Sequence, residues 1–373
     1  MPNAERRAIA MPIHRLKLGL GVGATLLTLT WALAGGGART EAQPSFAAEI
    51  ASLSEPPGYF DTDNLISNER SYLDVVPDLK KRDVRGGAYI GVGPDQNFSY
   101  IAAIRPEVVF IVDVRRDNLL LHLLFKSLFT LARTRVDYLA MLLGRPVPTD
   151  IESWRDAPLD KVVSHVEAAA IDARAVTVLR TRVDEAVRKT GVTLSPEDFQ
   201  TIDRFHRRFI GAGVNLQFQS TGRPPQGHYP TYRELLLATD GLGERGNYLA
   251  SESSFQFVKS LQQRDLVIPV VGDLSGPRAL AAIAANLRKR GQLLSAFYAS
   301  NVEFYLFGDG RFGHFVNNLG AMPRADNGVV IRSVFGRYAR FGGGSSSHLQ
   351  SVNELVKGFG KGQFRSYGEL IDR

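Results

Sequence analysis

Short apolar runs alternate with amphipathic stretches along most of the chain, the rhythm of strands and helices in a parallel sheet. Ala88–Val92 reads as a first strand, Gln96–Ile104 as a helix that stops before Arg105 and Pro106, and Val108–Val114 as a second strand. After a long interruption the rhythm returns. Leu266–Val271 is a strand closing on Gly272 and Asp273, Gly276–Arg290 a helix, Gln292–Ala299 a strand, and Gly328–Phe335 the last clear strand. Strands so continuously apolar are covered on both faces. The pattern predicts an α/β, Rossmann-like fold: a mostly parallel sheet with helices on both faces.

Between Gly144 and Asp265 the pattern becomes helical and charged, with one amphipathic helix over 159–190 and another starting at Ser195, Pro196, Glu197 and Asp198, a capping sequence with proline in the first turn. A largely helical insertion at about 144–265 accounts for this. Inside it, Gln219–Tyr232 is a loop of Gly, Pro and rings, including Tyr229 and Tyr232, and reads as a mobile cover over the strand ends. Upstream of it, Asn118–Leu143 reads as one long helix whose leucines are core. His122 falls on that helix and reads as a core or boundary histidine. Residues 39–85 read as a linker followed by a helix over 62–83, residues 86–337 as the α/β domain, and 338–373 as a tail with a flexible Gly342–Ser347 run and one helix near Leu349–Phe359.

Composition changes the picture in three places. The chain has 373 residues, 44% of them hydrophobic, enough for a full core, and no cysteine, which removes thiol nucleophiles, disulfides and thiolate metal sites. A basic start (Arg6, Arg7, Arg15, Lys17) precedes 21 uncharged residues, Leu18–Ala38, with small residues at Ala32-Leu33-Ala34. That is the layout of a signal peptide, or of an uncleaved anchor, so the folded part is expected outside the cytoplasm. The net charge of +7 is mild for this length, and the basic residues lack interleaved rings. This argues against nucleic acid as a partner and suits weak attraction to an anionic membrane surface.

No Gly-x-Ser-x-Gly elbow, His-Glu-x-x-His helix or phosphate loop occurs, and the seven histidines are scattered, so no dedicated metal site is expected. The constellation that points to chemistry is Tyr89-Ile90-Gly91-Val92-Gly93-Pro94-Asp95-Gln96 followed by Phe110-Ile111-Val112-Asp113. Asp113 lies 20 positions after Gly93. A Gly-x-Gly turn after a strand lets backbone approach a nucleotide, and a carboxylate closing the next strand can accept from ribose hydroxyls. The Asp95 charge opposes a pyrophosphate on this turn and leaves room for a ligand with ribose but no phosphate, such as S-adenosylmethionine. The strand-end candidates for binding such a cofactor are Gly91, Gly93, Asp95, Asp113, Asp273 and Asn301. Tyr229, Tyr232 and Glu303 are candidates for substrate contact.

On Gly91, Gly93, Asp113, Gly272-Asp273 and Ser295-Ala296-Phe297-Tyr298, the chain over Gly86–Arg337 resembles the class I methyltransferase-like domains. It is more closely similar to a family of uncharacterised exported bacterial proteins with that kind of fold. Methyltransferases usually carry an acidic residue two positions before the first glycine and a third glycine; this chain has Tyr89 and Asp95 there. The resemblance implies S-adenosylmethionine at the strand ends and an acceptor, an unknown small molecule, under the insertion. Two functions stay open at this point: a methyltransferase-like enzyme, and an exported, non-catalytic binding or structural protein that kept the fold without the cofactor.

Overall fold

The computed structural model describes residues 44–221, 229–339 and 344–372. The apolar start at 18–38 therefore lies outside the described residues, as does the centre of the Gly/Pro-rich loop. Helix α1 (Phe46–Leu53), capped by Ser45, buries Phe46, Ile50 and Leu53 where a linker was expected. Residues 62–69 are irregular, residues 70–75 form turns, and only Val76–Lys81 is helical (α2). Asn64 sits in the left-handed region (φ 47°), which breaks the helix the spacing suggested.

Strand β1 (Ala88–Gly91), helix α3 (Gln96–Ile104) and strand β2 (Val108–Asp113) follow the sequence pattern. The long leucine-rich segment is two helices, α4 (Arg116–Leu131) and α5 (Arg135–Leu142). The break comes at Thr134, whose hydroxyl accepts from Asp137 N and starts a second helix, while the buried Arg135 guanidinium donates to Leu249 O and Ala250 O. The charged 159–190 segment is likewise split into α6 (Leu159–Ala168) and α7 (Ala173–Lys189) by the Asp172 cap. Helices α8 (Pro196–Ala212, with the expected capping box at Ser195), α9 (Tyr232–Leu236) and α10 (Glu252–Gln263) complete this part.

The chain then alternates through β3 (Val267–Val271), α11 (Ala279–Arg290), β4 (Leu294–Ser300), α12 (Val302–Gly308), α13 (Phe312–Ala321) and β5 (Arg324–Phe335). It ends with β6 (Ser345–Ser351), α14 (Val352–Gly360) and α15 (Tyr367–Ile371). The six strands form one sheet in the order β3-β2-β1-β4-β5-β6, parallel except for β6. Strands β1 to β4 are buried at nearly every position, as a sheet covered on both faces requires. Pro269 inside β3 is tolerated because β3 is an edge strand, paired only with β2.

Strand β6 contradicts the expectation of a flexible serine run, since Ser345–Ser351 pairs antiparallel with β5. Serine is a weak strand former. Here the pairing and the hydroxyl contacts of Ser345 and Ser347 with the buried Ser71 supply what propensity does not. Among the described residues no helix is long and apolar enough to cross a membrane.

Candidate functional site

The strand order reverses direction between β1 and β4, and the C-terminal ends of the parallel strands open there into a cleft of about 800 Å³. This is where open α/β sheets bind ligands.

On one side the cleft is bounded by the Gly-x-Gly turn. Gly93 needs its glycine for a positive φ (80°). Gly91 needs its own for a different reason: the Asn97 side chain occupies the place a Cβ would take. From there Asn97 Nδ2 donates to the carbonyls of Val92 (2.8 Å), Gly93 (3.3 Å) and Pro94 (2.8 Å), and its Oδ1 accepts from Tyr89 (2.8 Å). His122 Nε2 lies 2.9 Å from Gly93 O. Burial pushes the imidazole down to about 4, so it is neutral and donates that bond. The turn is thus filled from within, and Gly91 does not face the cleft.

At the end of β2, Asp113 reaches the cleft as expected, with both oxygens already occupied. Arg115 Nε donates to Oδ1 (3.0 Å) and Nη2 to Oδ2 (2.8 Å), the Arg115 backbone N–H adds a third bond, and Nη1 ties the clamp to Thr62 O (2.7 Å). Asp273, after β3, accepts from Ser275 N and Oγ and from Arg311. Burial works against its charge, but these donors outweigh burial and hold the carboxyl below its ordinary value. Asn301 also lines the cleft, together with Gly93 and Tyr229.

The floor is Glu69, which gave no signal in the sequence. Its carboxylate is 1% exposed and accepts from three hydroxyls: Tyr298 (2.6 Å) and Ser333 (2.5 Å) on Oε2, and Ser300 on Oε1. A register shift against β5 between Tyr298 and Ser300, with Ser300 at φ 51°, lets both side chains reach it. Gln96 Nε2 donates to the Tyr298 oxygen (3.0 Å), which commits the single phenol proton to Glu69. Burial raises the Glu69 carboxyl above its ordinary value, with the three hydroxyls opposing the rise. The upper walls carry rings, among them Phe60, Phe218, Tyr305, Tyr338 and Tyr367.

Four expected site residues stand elsewhere. Gly91 is behind Asn97. Asp95 is buried beneath the turn, accepting from Tyr232 (2.8 Å) and Tyr248 (3.3 Å), and burial raises it to about 6. Tyr232 is committed to that bond inside the core and does not line the cleft. Glu303 is in a buried ion pair with Arg332 (2.6 Å). Asp95, Tyr232 and Glu303 are polar groups with their partners already inside the protein, which is what burial demands. Among the described residues no group of three His, Asp or Glu is placed to hold a metal ion.

A family model described as a domain of unknown function, DUF7790, matches residues 65–191 and 226–358. This is more than half of the chain, so the chain belongs to that family. The matched segments include Glu69, Gln96, Asp113, Tyr298 and Ser333, and leave out 192–225. No curated protein matches the chain.

Proposed function

We propose that this member of the DUF7790 family binds a small molecule of nucleoside type, with S-adenosylmethionine as the first candidate, in the cleft at the ends of β1, β2, β3 and β4. The observation that carries this reading is the position of the cleft at the switch point of the sheet, with rings on its upper walls and hydrogen-bonding groups at the strand ends. Rings offer faces to a planar base, and Asp113, Asn301 and Asp273 offer polar edges to a sugar. In its enzymatic form the proposal is a methyltransferase-like activity, which needs positioning more than ionisable groups.

A second reading, a non-catalytic exported binding protein, is favoured by the Arg115 clamp. Ribose hydroxyls would have to share Asp113 with a guanidinium that already takes both oxygens. Export, read from residues 1–38, belongs to the same proposal and also favours this form, because S-adenosylmethionine is made in the cytoplasm.

Calorimetry on the full chain with S-adenosylmethionine, S-adenosylhomocysteine and adenosine tests the reading. Saturable binding of at least one supports it, and a labelled methyl group appearing on an acceptor would select the enzyme. Absence of binding by all three rules out the nucleoside site.

A further inference from the structure

Glu69, like Asp95 beneath the turn, is a buried carboxylate with no cationic partner among the described residues, and of the two it is Glu69 that lines the cleft. Glu303 has Arg332, Arg115 has Asp113, and Glu49 has Arg290. Among the described residues, Glu69 has hydroxyls only. An ion pair compensates a buried anion better than neutral donors do, and removing a charge from water without a counter-charge is costly. The hydroxyls around it offset part of that cost. Gln96 turns the Tyr298 proton toward Oε2, Ser333 adds a second donor there, and Ser300 holds a left-handed backbone conformation while bonded to Oε1.

Two acceptor positions remain over. A carboxylate has about four lone-pair sites, and three are used, leaving one on Oε1. Gln96 Oε1 is buried and has no partner among the described residues. Glu69 and Gln96 both line the cleft, one hydroxyl apart through Tyr298. The cleft is also rich in anions. Asp61, Glu69, Asp113, Asp273 and Asp309 line it against Arg115 and Arg311, and those two guanidinium groups are bound to Asp113 and Asp273. Rings on the walls favour a cation further.

We propose that Glu69 is the anchor for a primary amine: the molecule that occupies the cleft carries an ammonium group that donates to Glu69 Oε1 and Gln96 Oε1. The proposal rests on the reading of the cleft as a ligand site and adds the chemistry of one end of that ligand. The carboxylate must be ionised to take the cation, so affinity rises with pH as Glu69 loses its proton. The titratable groups facing it are the phenols of Tyr298 on β4, Tyr89 on β1, Tyr100 on α3 and Tyr367 on α15. Burial raises all four above their ordinary value, so they stay neutral across the range.

The test compares matched pairs on the full chain by ligand-observed NMR and calorimetry: benzylamine with benzyl alcohol, and 5′-amino-5′-deoxyadenosine with adenosine. At pH 8 benzylamine should bind at least tenfold tighter than benzyl alcohol, and E69Q should remove that preference. No preference in the wild-type protein, or a preference that survives in E69Q, overturns the anchor. If E69Q does not fold, Y298F decides. Losing one donor to the charged carboxylate should move the pH midpoint of benzylamine binding upward, and an unmoved midpoint rejects the proposal. Equal binding of the two nucleosides, with no benzylamine preference, leaves the nucleoside site standing and the anchor refuted. A benzylamine preference with neither nucleoside bound does the reverse.

Discussion

The Asn97 side chain fills the space that a Cβ on Gly91 would need, and from there it holds three carbonyls of the turn that follows β1. A motif that reads as an opening for a ligand is here a socket for a side chain. N97A should lower stability by about 2–4 kcal/mol in urea unfolding, because buried carbonyls lose their donor. G91A should also destabilise, through the clash with Asn97 and with the Tyr89 ring. The two changes should be non-additive, the double variant losing less than the sum of the singles, because N97A removes part of the clash. Unchanged stability in G91A combined with lost ligand binding would instead point to close approach of a ligand at Gly91.

Asp113 answers to Arg115 before it answers to any ligand. Both side chains are largely buried, so D113A strands a guanidinium and should destabilise by about 3 kcal/mol, near the lower end of the cost of breaking a buried pair. Thermal unfolding of D113A and R115Q, alongside wild type, checks this. A melting temperature within one degree of wild type for D113A, as an order of magnitude far below the effect of such a loss, would count against the clamp.

Asp95 and His122 give the fold opposite responses to acid. Burial raises Asp95 to about 6, so its contribution is fully present below its unfolded value and is lost as pH rises through about 6. Burial lowers His122 to about 4, so its contribution is present above its unfolded value and is lost as pH falls toward 4. D95N should therefore gain on wild type between pH 4.5 and pH 7.5, by about 2 kcal/mol from a shift of roughly two units. H122Q should gain on wild type in the opposite direction, on acidification from about 6.5. Urea midpoints at the two pH values read both, and parallel curves for wild type and D95N would refute the assignment.

Glu303 is buried in its ion pair with Arg332 and does not line the cleft. E303Q leaves Arg332, buried on β5 and bonded to Gln350, without its charge partner and should cost about 3–5 kcal/mol. Benzylamine or nucleoside affinity per folded molecule should be unaffected. A tenfold loss of affinity with normal stability would return Glu303 to the site.

Residues 1–45 fused to a reporter that is active only outside the cytoplasm should give signal, given the basic start and the apolar run that follows it. Mass spectrometry of the mature N-terminus separates cleavage from anchoring. A silent reporter, with native protein in the soluble cytoplasm, reverses the export reading and strengthens the enzymatic one.

The sheet was legible in the sequence because its strands are buried on both faces. Val108–Val112 and Val267–Val271 can be little else, and glycine or a charged residue marks where each strand stops. Helix ends were less legible. Thr134 and Asp172 start new helices inside periodic stretches, and periodicity persists across such breaks. Strand β6 was hidden because three consecutive serines look like a linker until Ser71 and β5 are beside them.

The sequence by itself determined the fold class, the place of the cleft at the strand ends, and the approach of Gly93, Asp113, Asp273 and Asn301 to it. These follow from local pattern, since residues that close parallel strands must gather at one edge of the sheet. Only the tertiary structure decided which polar groups were free. Asn97 filled the glycine turn, Arg115 took Asp113, two tyrosines from beyond position 230 took Asp95, and Arg332 took Glu303. The same packing made a site from Glu69, a lone carboxylate in an irregular segment, by bringing Tyr298, Ser300 and Ser333 to it across more than 220 residues. A carboxylate takes its role from burial and from the donors around it, and both are set by contacts between distant parts of the chain.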